Sequence, residues 1–206
     1  MFITFEGCEG CGKSNQSRAL HKRLAEANIA AVLTQEPGGT PLGEGIARWL
    51  KWDGEPDISP LAELLLFNAS RAELVGKVLR LALDDGKVVI SDRYTDSTIA
   101  YQGYGRGLDL ATVAAINDTA TGGLKPNLTI LLDVPPEEGL RRKKGTQRDR
   151  FEQEDIGFHR RVRNGYLKLA GAEPSRWLVV DSTQSKDKVE QLIWQKISRL
   201  VKRQRV

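Results

Sequence analysis

The eight residues Gly7-Cys8-Glu9-Gly10-Cys11-Gly12-Lys13-Ser14 constrain the fold more than any other part of the chain. They fit the pattern Gly-x-x-x-x-Gly-Lys-Ser/Thr, follow the apolar run Phe2-Ile3-Thr4-Phe5 and open a helical stretch at Lys13. A strand that feeds a glycine-rich turn and then a helix aims backbone N–H groups and the positive end of the helix dipole at one concave spot. That spot suits a phosphate. In this register Gly7, Gly10, Cys11, Gly12, Lys13 and Ser14 form the cradle, with Lys13 reaching the outer phosphates and the Ser14 hydroxyl offered to Mg²⁺. A turn that only caps a helix would explain the glycines but not the Lys and Ser in register with them.

The alternation continues along the chain. Short runs rich in β-branched residues at Phe2–Glu6, Ala30–Thr34, Val88–Asp92, Leu128–Asp133 and Trp177–Asp181 predict five strands. Amphipathic stretches predict helices at about 13–27, 42–51, 60–84, 109–121, 136–143, 155–170 and 186–202, and Asp84-Asp85-Gly86 reads as a glycine stop. The expected architecture is α/β: a P-loop NTPase fold, with a five-stranded parallel sheet flanked by helices on both faces. The 206 residues contain no repeat and no low-complexity linker, so 1–206 is expected to be a single domain.

Hydrophobic residues at 40% and charged residues at 28% describe an ordinary globular chain and exclude wholesale disorder. No basic segment followed by a long apolar stretch opens the sequence, and no apolar run approaches membrane-spanning length. The cytoplasm is the simplest expected location, with no membrane partner. A net charge of +4 suits small polyanions without demanding nucleic acid, and no nucleic-acid partner is expected. Cys8 and Cys11 have metal-site spacing, but there is no second Cys pair and His21 and His159 are distant, so both cysteines read as reduced loop residues.

Val88-Val89-Ile90-Ser91-Asp92 is an apolar run ending in a carboxylate, the place for a second Mg²⁺ ligand at the carboxyl end of a buried strand. Asp92 takes that role here, and a strand-end cap is its structural alternative. Arg93 can clamp a phosphate with two parallel N–H bonds, or form a surface ion pair.

Several segments then fall in a familiar order: Phe5-Glu6-Gly7 through Ser14, Thr34-Gln35-Glu36-Pro37-Gly38-Gly39-Thr40, Leu66-Phe67-x-Ala69-x-Arg71, Asp92-Arg93-Tyr94, Ala100-Tyr101-Gln102-Gly103 and Asp149-Arg150-Phe151-Glu152. In this order and spacing the chain resembles the bacterial thymidylate kinases over nearly its whole length. The resemblance implies transfer of a phosphoryl group from ATP to dTMP with Mg²⁺, and a homodimer. It implies that Glu9 faces the acceptor sugar and phosphate, that Phe67 stacks on thymine, and that Arg71 hydrogen-bonds the base. Phe67 read alone after Leu64-Leu65-Leu66 is core; Arg71 four residues on, on the same helix face, turns the reading toward a base pocket. Tyr101, Gln102 and Thr98 match residues lining the deoxyribose and base. Read alone, Tyr101 and Gln102 serve equally as an ordinary loop tyrosine and a solvated amide.

The segment of about 136–151 is basic and broken by Gly139 and Gly145. It reads as a solvated helix end, an RNA patch or a mobile lid, and the lid supplies what phosphoryl transfer needs: cations that arrive as water leaves. Some members of the resembled family carry a catalytic arginine inside the phosphate loop. Gly10 stands there in this chain, which gives the role to a lid residue, with Arg142 and Arg148 both open. Asn15, Gln35 and Glu73 depart from residues common in the family. Another small-molecule P-loop kinase would share Lys13 and Asp92 but would not account for Phe67, Arg71 and Tyr101. A GTPase-type switch would need a guanine-reading Asn-Lys-x-Asp element, which is absent.

Overall fold

The computed structural model describes residues 1–53, 58–143 and 147–204. Residues 144–146 of the expected lid and 205–206 of the basic tail lie outside the described residues. Five parallel strands, β1 (Phe2–Glu6), β2 (Ala31–Gln35), β3 (Val88–Asp92), β4 (Leu128–Asp133) and β5 (Trp177–Asp181), stand in the order β2-β3-β1-β4-β5. β1 is therefore central, pairing Phe2 with Val89 and Ile3 with Leu128, and all five of its residues are buried. That is why it reads as a nearly unbroken apolar run. β2 begins one residue later than the apolar run suggests and includes Gln35, because its ends are set by pairing Ala31 with Val88 and Gln35 with Asp92.

Alternate side chains of β1 serve opposite faces of the sheet. Ile3 and Phe5 pack with Leu20 and Leu24 of α1 (Lys13–Glu26) and with Val189, Ile193 and Ile197 of α9 (Lys186–Gln204). On the other face Phe2 meets Leu74 of α3 (Pro60–Leu74) together with Val75 and Leu79, while Leu131 and Trp177 meet Phe158, Val162 and Tyr166 of α8 (Ile156–Ala172). Helices thus cover both faces, as expected.

Two long helices are not uniform. α2 (Pro41–Arg48) runs on as a π-helical turn over Trp49–Asp53, and the stretch expected from 60 to 84 is α3, a π-helical turn Val75–Leu79 and α4 (Arg80–Asp84). The glycine stop holds: Gly86 has φ 73°, and Lys87 N–H closes onto Ala82 O. After β3 the polar run Thr95–Thr98 forms α5, which continues as a π-helical segment Ile99–Gly105. Sequence pattern missed both, since hydroxyl residues and glycines favour a loop; burial of Ala100, Tyr101, Gln102 and Gly103 overrides that preference. α6 (Leu110–Thr121) and α7 (Pro136–Arg142) complete the chain, and Asp109 and Asp155 cap α6 and α8 through bonds to Thr112 N and Phe158 N. No helix among the described residues is long and apolar enough to cross a membrane.

Candidate active site

With β2 and β3 on one side of β1 and β4 and β5 on the other, the loops leaving the strand ends diverge and open a crevice beyond Glu6 and Asp92. A cleft of about 760 Å³ fills it, lined by the loop from Glu9 to Gln16 and by Asp92, Arg93, Arg142 and Ser182. A smaller pocket of about 70 Å³ adjoins it, walled by Phe67, Arg71, Thr98, Tyr101, Gln102 and Phe151. Glu9, Glu36 and Arg93 border both spaces.

On the larger side the loop glycines adopt conformations that other residues reach with strain, φ 138° at Gly7, 69° at Gly10 and 96° at Gly12. Gly10 has a second constraint. A Cβ there would stand 2.0 Å from the carbonyl oxygen of Gly139 in α7, and one on Gly139 would stand 2.2 Å from the carbonyl oxygen of Glu9. The two backbones therefore touch, and Gly10 has no room for the arginine that some family members carry. α2, α3, α6 and α8 are capped by the side chains of Thr40, Ser59, Asp109 and Asp155, whereas α1 starts at Gly12 with no side-chain cap. Its first N–H groups are left for an anion.

Lys13 is buried, and its Nζ donates to the carbonyls of Gly7 and Cys8 at 3.0 Å each. It lines the large cleft with its charge facing the loop interior. Ser14 Oγ donates to Asp92 Oδ2 at 2.5 Å, which joins the two expected Mg²⁺ ligands across the strand ends. One hydroxyl and one carboxylate oxygen at the mouth of an anion cradle fit Mg²⁺, which keeps most of its coordination for water and phosphate oxygens. Cys8 and Cys11 are free and buried, and burial, then the charge of the other thiol, pushes Cys8 up to about 12. Among the described residues no group of three or more His, Cys, Asp or Glu side chains could hold a metal.

Arg93 is the centre of the acceptor side. Among the described residues it is one of two non-glycine residues with positive φ, at 74°, a conformation that persists only where surroundings impose it. Its Nη2 donates to Glu9 Oε1 at 2.5 Å and to Tyr101 OH at 3.1 Å, and its Nη1 donates to Gly7 O, Ser97 Oγ and Tyr166 OH at 3.2–3.3 Å. Tyr101 OH also donates to Glu9 Oε1 at 2.7 Å. Burial alone would raise the Glu9 carboxyl, but the charges of Arg93 and Lys13 and the Tyr101 hydroxyl outweigh it and hold the group well below the usual carboxylate range. Glu9 stays ionised against two cations.

Beneath this lies a shelf of residues that sequence reading missed. Glu6, at the end of β1, is fully buried and accepts from Tyr94 N at 2.8 Å, Ser97 Oγ at 2.5 Å and Tyr166 OH at 3.0 Å. The same two hydroxyls hold Arg93. Glu6 sat inside the motif segment Phe5-Glu6-Gly7, but only the fold brings it to Ser97 and Tyr166, which are 91 and 160 residues away. Asn117 of α6 was missed for the same reason. It takes Arg71 Nη1 at 2.7 Å.

The expected base-facing residues all border the smaller pocket. Phe67 is half-buried, its ring 5.7 Å from that of Phe151. Arg71, expected to bond a base, borders the small pocket and is buried, with its guanidinium held by protein partners: Nε and Nη2 meet Glu36 Oε2 at 2.8 and 2.7 Å, Nη1 meets Asn68 and Asn117, and Nη2 also meets Tyr94 O. Glu36 Oε1, buried, has no hydrogen-bond partner among the described residues. Of the lid candidates, Arg142 lines the large cleft, with Nη1 on Ser182 O at 3.0 Å, while Arg148 is exposed and outside the cleft lining. Asn15 and Gln35 border the large cleft; Glu73 borders neither space and pairs with Lys77 at 2.5 Å.

A parallel α/β sheet with a phosphate loop at its central strand, and a second pocket sharing Glu9, Glu36 and Arg93 with the first, defines a P-loop nucleotide phosphotransferase. The sequence profile described as thymidylate kinase matches residues 5–193. Thymidylate kinase of Dehalococcoides mccartyi is 55% identical over 202 residues, 98% of each chain, and that of Deinococcus radiodurans is 52% identical over 200 residues, 96% of this chain. The solved structure of thymidylate kinase from Ehrlichia chaffeensis is 36% identical, with a TM-score of 0.79 over 96% of this chain and 98% of that one. The chain belongs to the thymidylate kinase family.

Proposed function

We propose that this enzyme transfers the γ-phosphoryl group of ATP to dTMP, giving ADP and dTDP. The observation that carries the reading is the pair of adjoining spaces with Glu9 and Arg93 at their junction. The large cleft takes ATP, its phosphates on the loop from Gly7 to Ser14 and on Lys13. The small pocket takes dTMP, with Phe67, Thr98, Tyr101 and Gln102 around the nucleoside and Arg71 behind it. Arg93 holds the acceptor phosphate, and Glu9 fixes Arg93 and faces the sugar. Mg²⁺ held by Ser14 and Asp92 would neutralise charge on the phosphates. The acceptor phosphate is already anionic, so the protein's work is positioning and charge stabilisation, and no general base is needed.

Arg142 is the better candidate for the lid cation, on the ground that it borders the large cleft and Arg148 does not. We take the chain as one domain, with the segment of about 136–151 as its lid, working in the cytoplasm as a homodimer. Leu61 and Leu65, 49% and 50% exposed and four residues apart on α3, support an association surface there. Light scattering that gives a monomer mass would remove the dimer. A coupled assay of ADP release across nucleoside monophosphates tests the substrate: dTMP should be the best acceptor. AMP or UMP turning over faster would overturn the pocket assignment.

A further inference from the structure

Gln102 borders the small pocket, and among the described residues its amide nitrogen has one partner, Glu63 Oε1 at 2.7 Å. Glu63 does not itself line the pocket. It is 0% exposed, behind Gln102, and its oxygens also take Arg106 Nε at 3.2 Å, Arg106 Nη2 at 3.1 Å and Arg150 Nη2 at 2.6 Å. A carboxylate paired with two guanidinium groups has only acceptor sites to offer. An amide beside it must present its NH₂, because the reverse orientation would set two acceptor oxygens against each other away from water. The planar amide then carries its carbonyl oxygen away from Glu63, and no described residue takes that oxygen.

We infer that Glu63 is a positioning residue that fixes the Gln102 amide with its carbonyl toward the acceptor base, so that the pocket selects a base that donates at N3 over one that accepts there. The inference rests on the reading of Gln102 as base-facing and adds what orients it. Thymine and uracil carry N3–H and satisfy the carbonyl. Cytosine presents a lone pair at N3, which would leave both oxygen and nitrogen without a proton between them. A site built around a buried hydrogen bond rejects the analogue that cannot make it far more strongly than an apolar wall rejects a missing methyl.

The test is Glu63→Gln, whose side chain can donate as well as accept and so frees the Gln102 amide to turn. kcat/KM is measured for dTMP, dUMP and dCMP. The dTMP-to-dCMP preference should fall by about tenfold or more, while the dTMP-to-dUMP preference stays within about twofold, because both of those bases donate at N3. Arg106→Gln removes the ion pairs with Glu63 and Glu154 but leaves the Glu63 carboxylate and its pair with Arg150 in place, and it should keep both preferences even if it melts lower. Should Glu63→Gln fail to fold because Arg106 and Arg150 lose their shared carboxylate, the double variant Glu63→Gln/Arg106→Gln removes one of the two guanidinium groups and should show the same loss of preference. If all three substrates decline in parallel, Glu63 serves stability alone and the inference is overturned. If Gln102→Ala leaves KM for dTMP unchanged, the base-facing reading of Gln102 fails, a result separate from the first.

Discussion

Replacing Glu6 by Gln should flatten the dependence of stability on pH between about 4.5 and 7. Burial, and next to it the charge of Asp96, raises the Glu6 carboxyl from 4.5 to about 7, against the pull of Ser97, Arg93 and Tyr166. In the unfolded chain the group titrates at its ordinary value. Across this window the folded chain holds a proton that the unfolded chain has lost, so the stabilisation is complete below pH 4.5 and disappears as pH rises through 7. At about 1.36 kcal/mol per pH unit, the interval from 4.5 to about 7 sets an upper figure of about 3 kcal/mol. Gln at position 6 keeps an acceptor for Tyr94 N–H and faces two hydroxyls that can rotate to accept, but it has nothing to titrate. Urea unfolding at pH 5 and pH 7.5 should show the parent losing about 2–3 kcal/mol more than Glu6→Gln on going to the higher pH. His159, lowered by burial, works in the opposite sense, since it gains stability as pH rises. It is common to both proteins and cancels in the difference. Equal pH slopes for the two proteins would refute the account of the Glu6 shelf.

Lys13→Ala should abolish ADP release in the coupled assay while shifting the melting temperature little, because its Nζ bonds only two loop carbonyls and the Cys11 sulfur among the described residues. Arg142→Ala should lower kcat by about 10³-fold or more with a smaller change in KM for ATP, and Arg148→Ala by less than about threefold; the reverse ranking would move the lid cation to Arg148. Gly10→Ala should destabilise by about 1–3 kcal/mol, read as a lowered melting temperature, since its Cβ would meet the Gly139 carbonyl.

The sheet was legible because its three central strands, β3, β1 and β4, are short and almost wholly buried runs, and a run such as Val88-Val89-Ile90 has few other readings. The phosphate loop was legible because its residues are contiguous. Phe67, Tyr101 and Gln102 came from family resemblance, and the fold does gather them around one pocket. What stayed hidden was the support behind them. Glu6, Ser97 and Tyr166 meet across three elements, and Glu63 reaches Gln102 from α3, so no spacing along the chain records either contact. Arg71 borders the same pocket, but its spacing from Phe67 gives no sign of Glu36, 35 residues earlier, which bonds its guanidinium.

The backbone contact between Gly10 and Gly139 also bears on how such an enzyme can change over generations. A side chain at position 10 can enter only if α7 withdraws, and α7 carries Arg142 at its last turn. On the proposal that Arg142 supplies the transition-state cation, moving that cation from α7 to the loop is therefore not reachable by one substitution here. An arginine gained at position 10 would arrive together with the displacement of its rival, so intermediates with both cations in working position are closed to this lineage. The contact acts as a ratchet on the history of the site, keeping position 10 free of any side chain for as long as α7 stays in place.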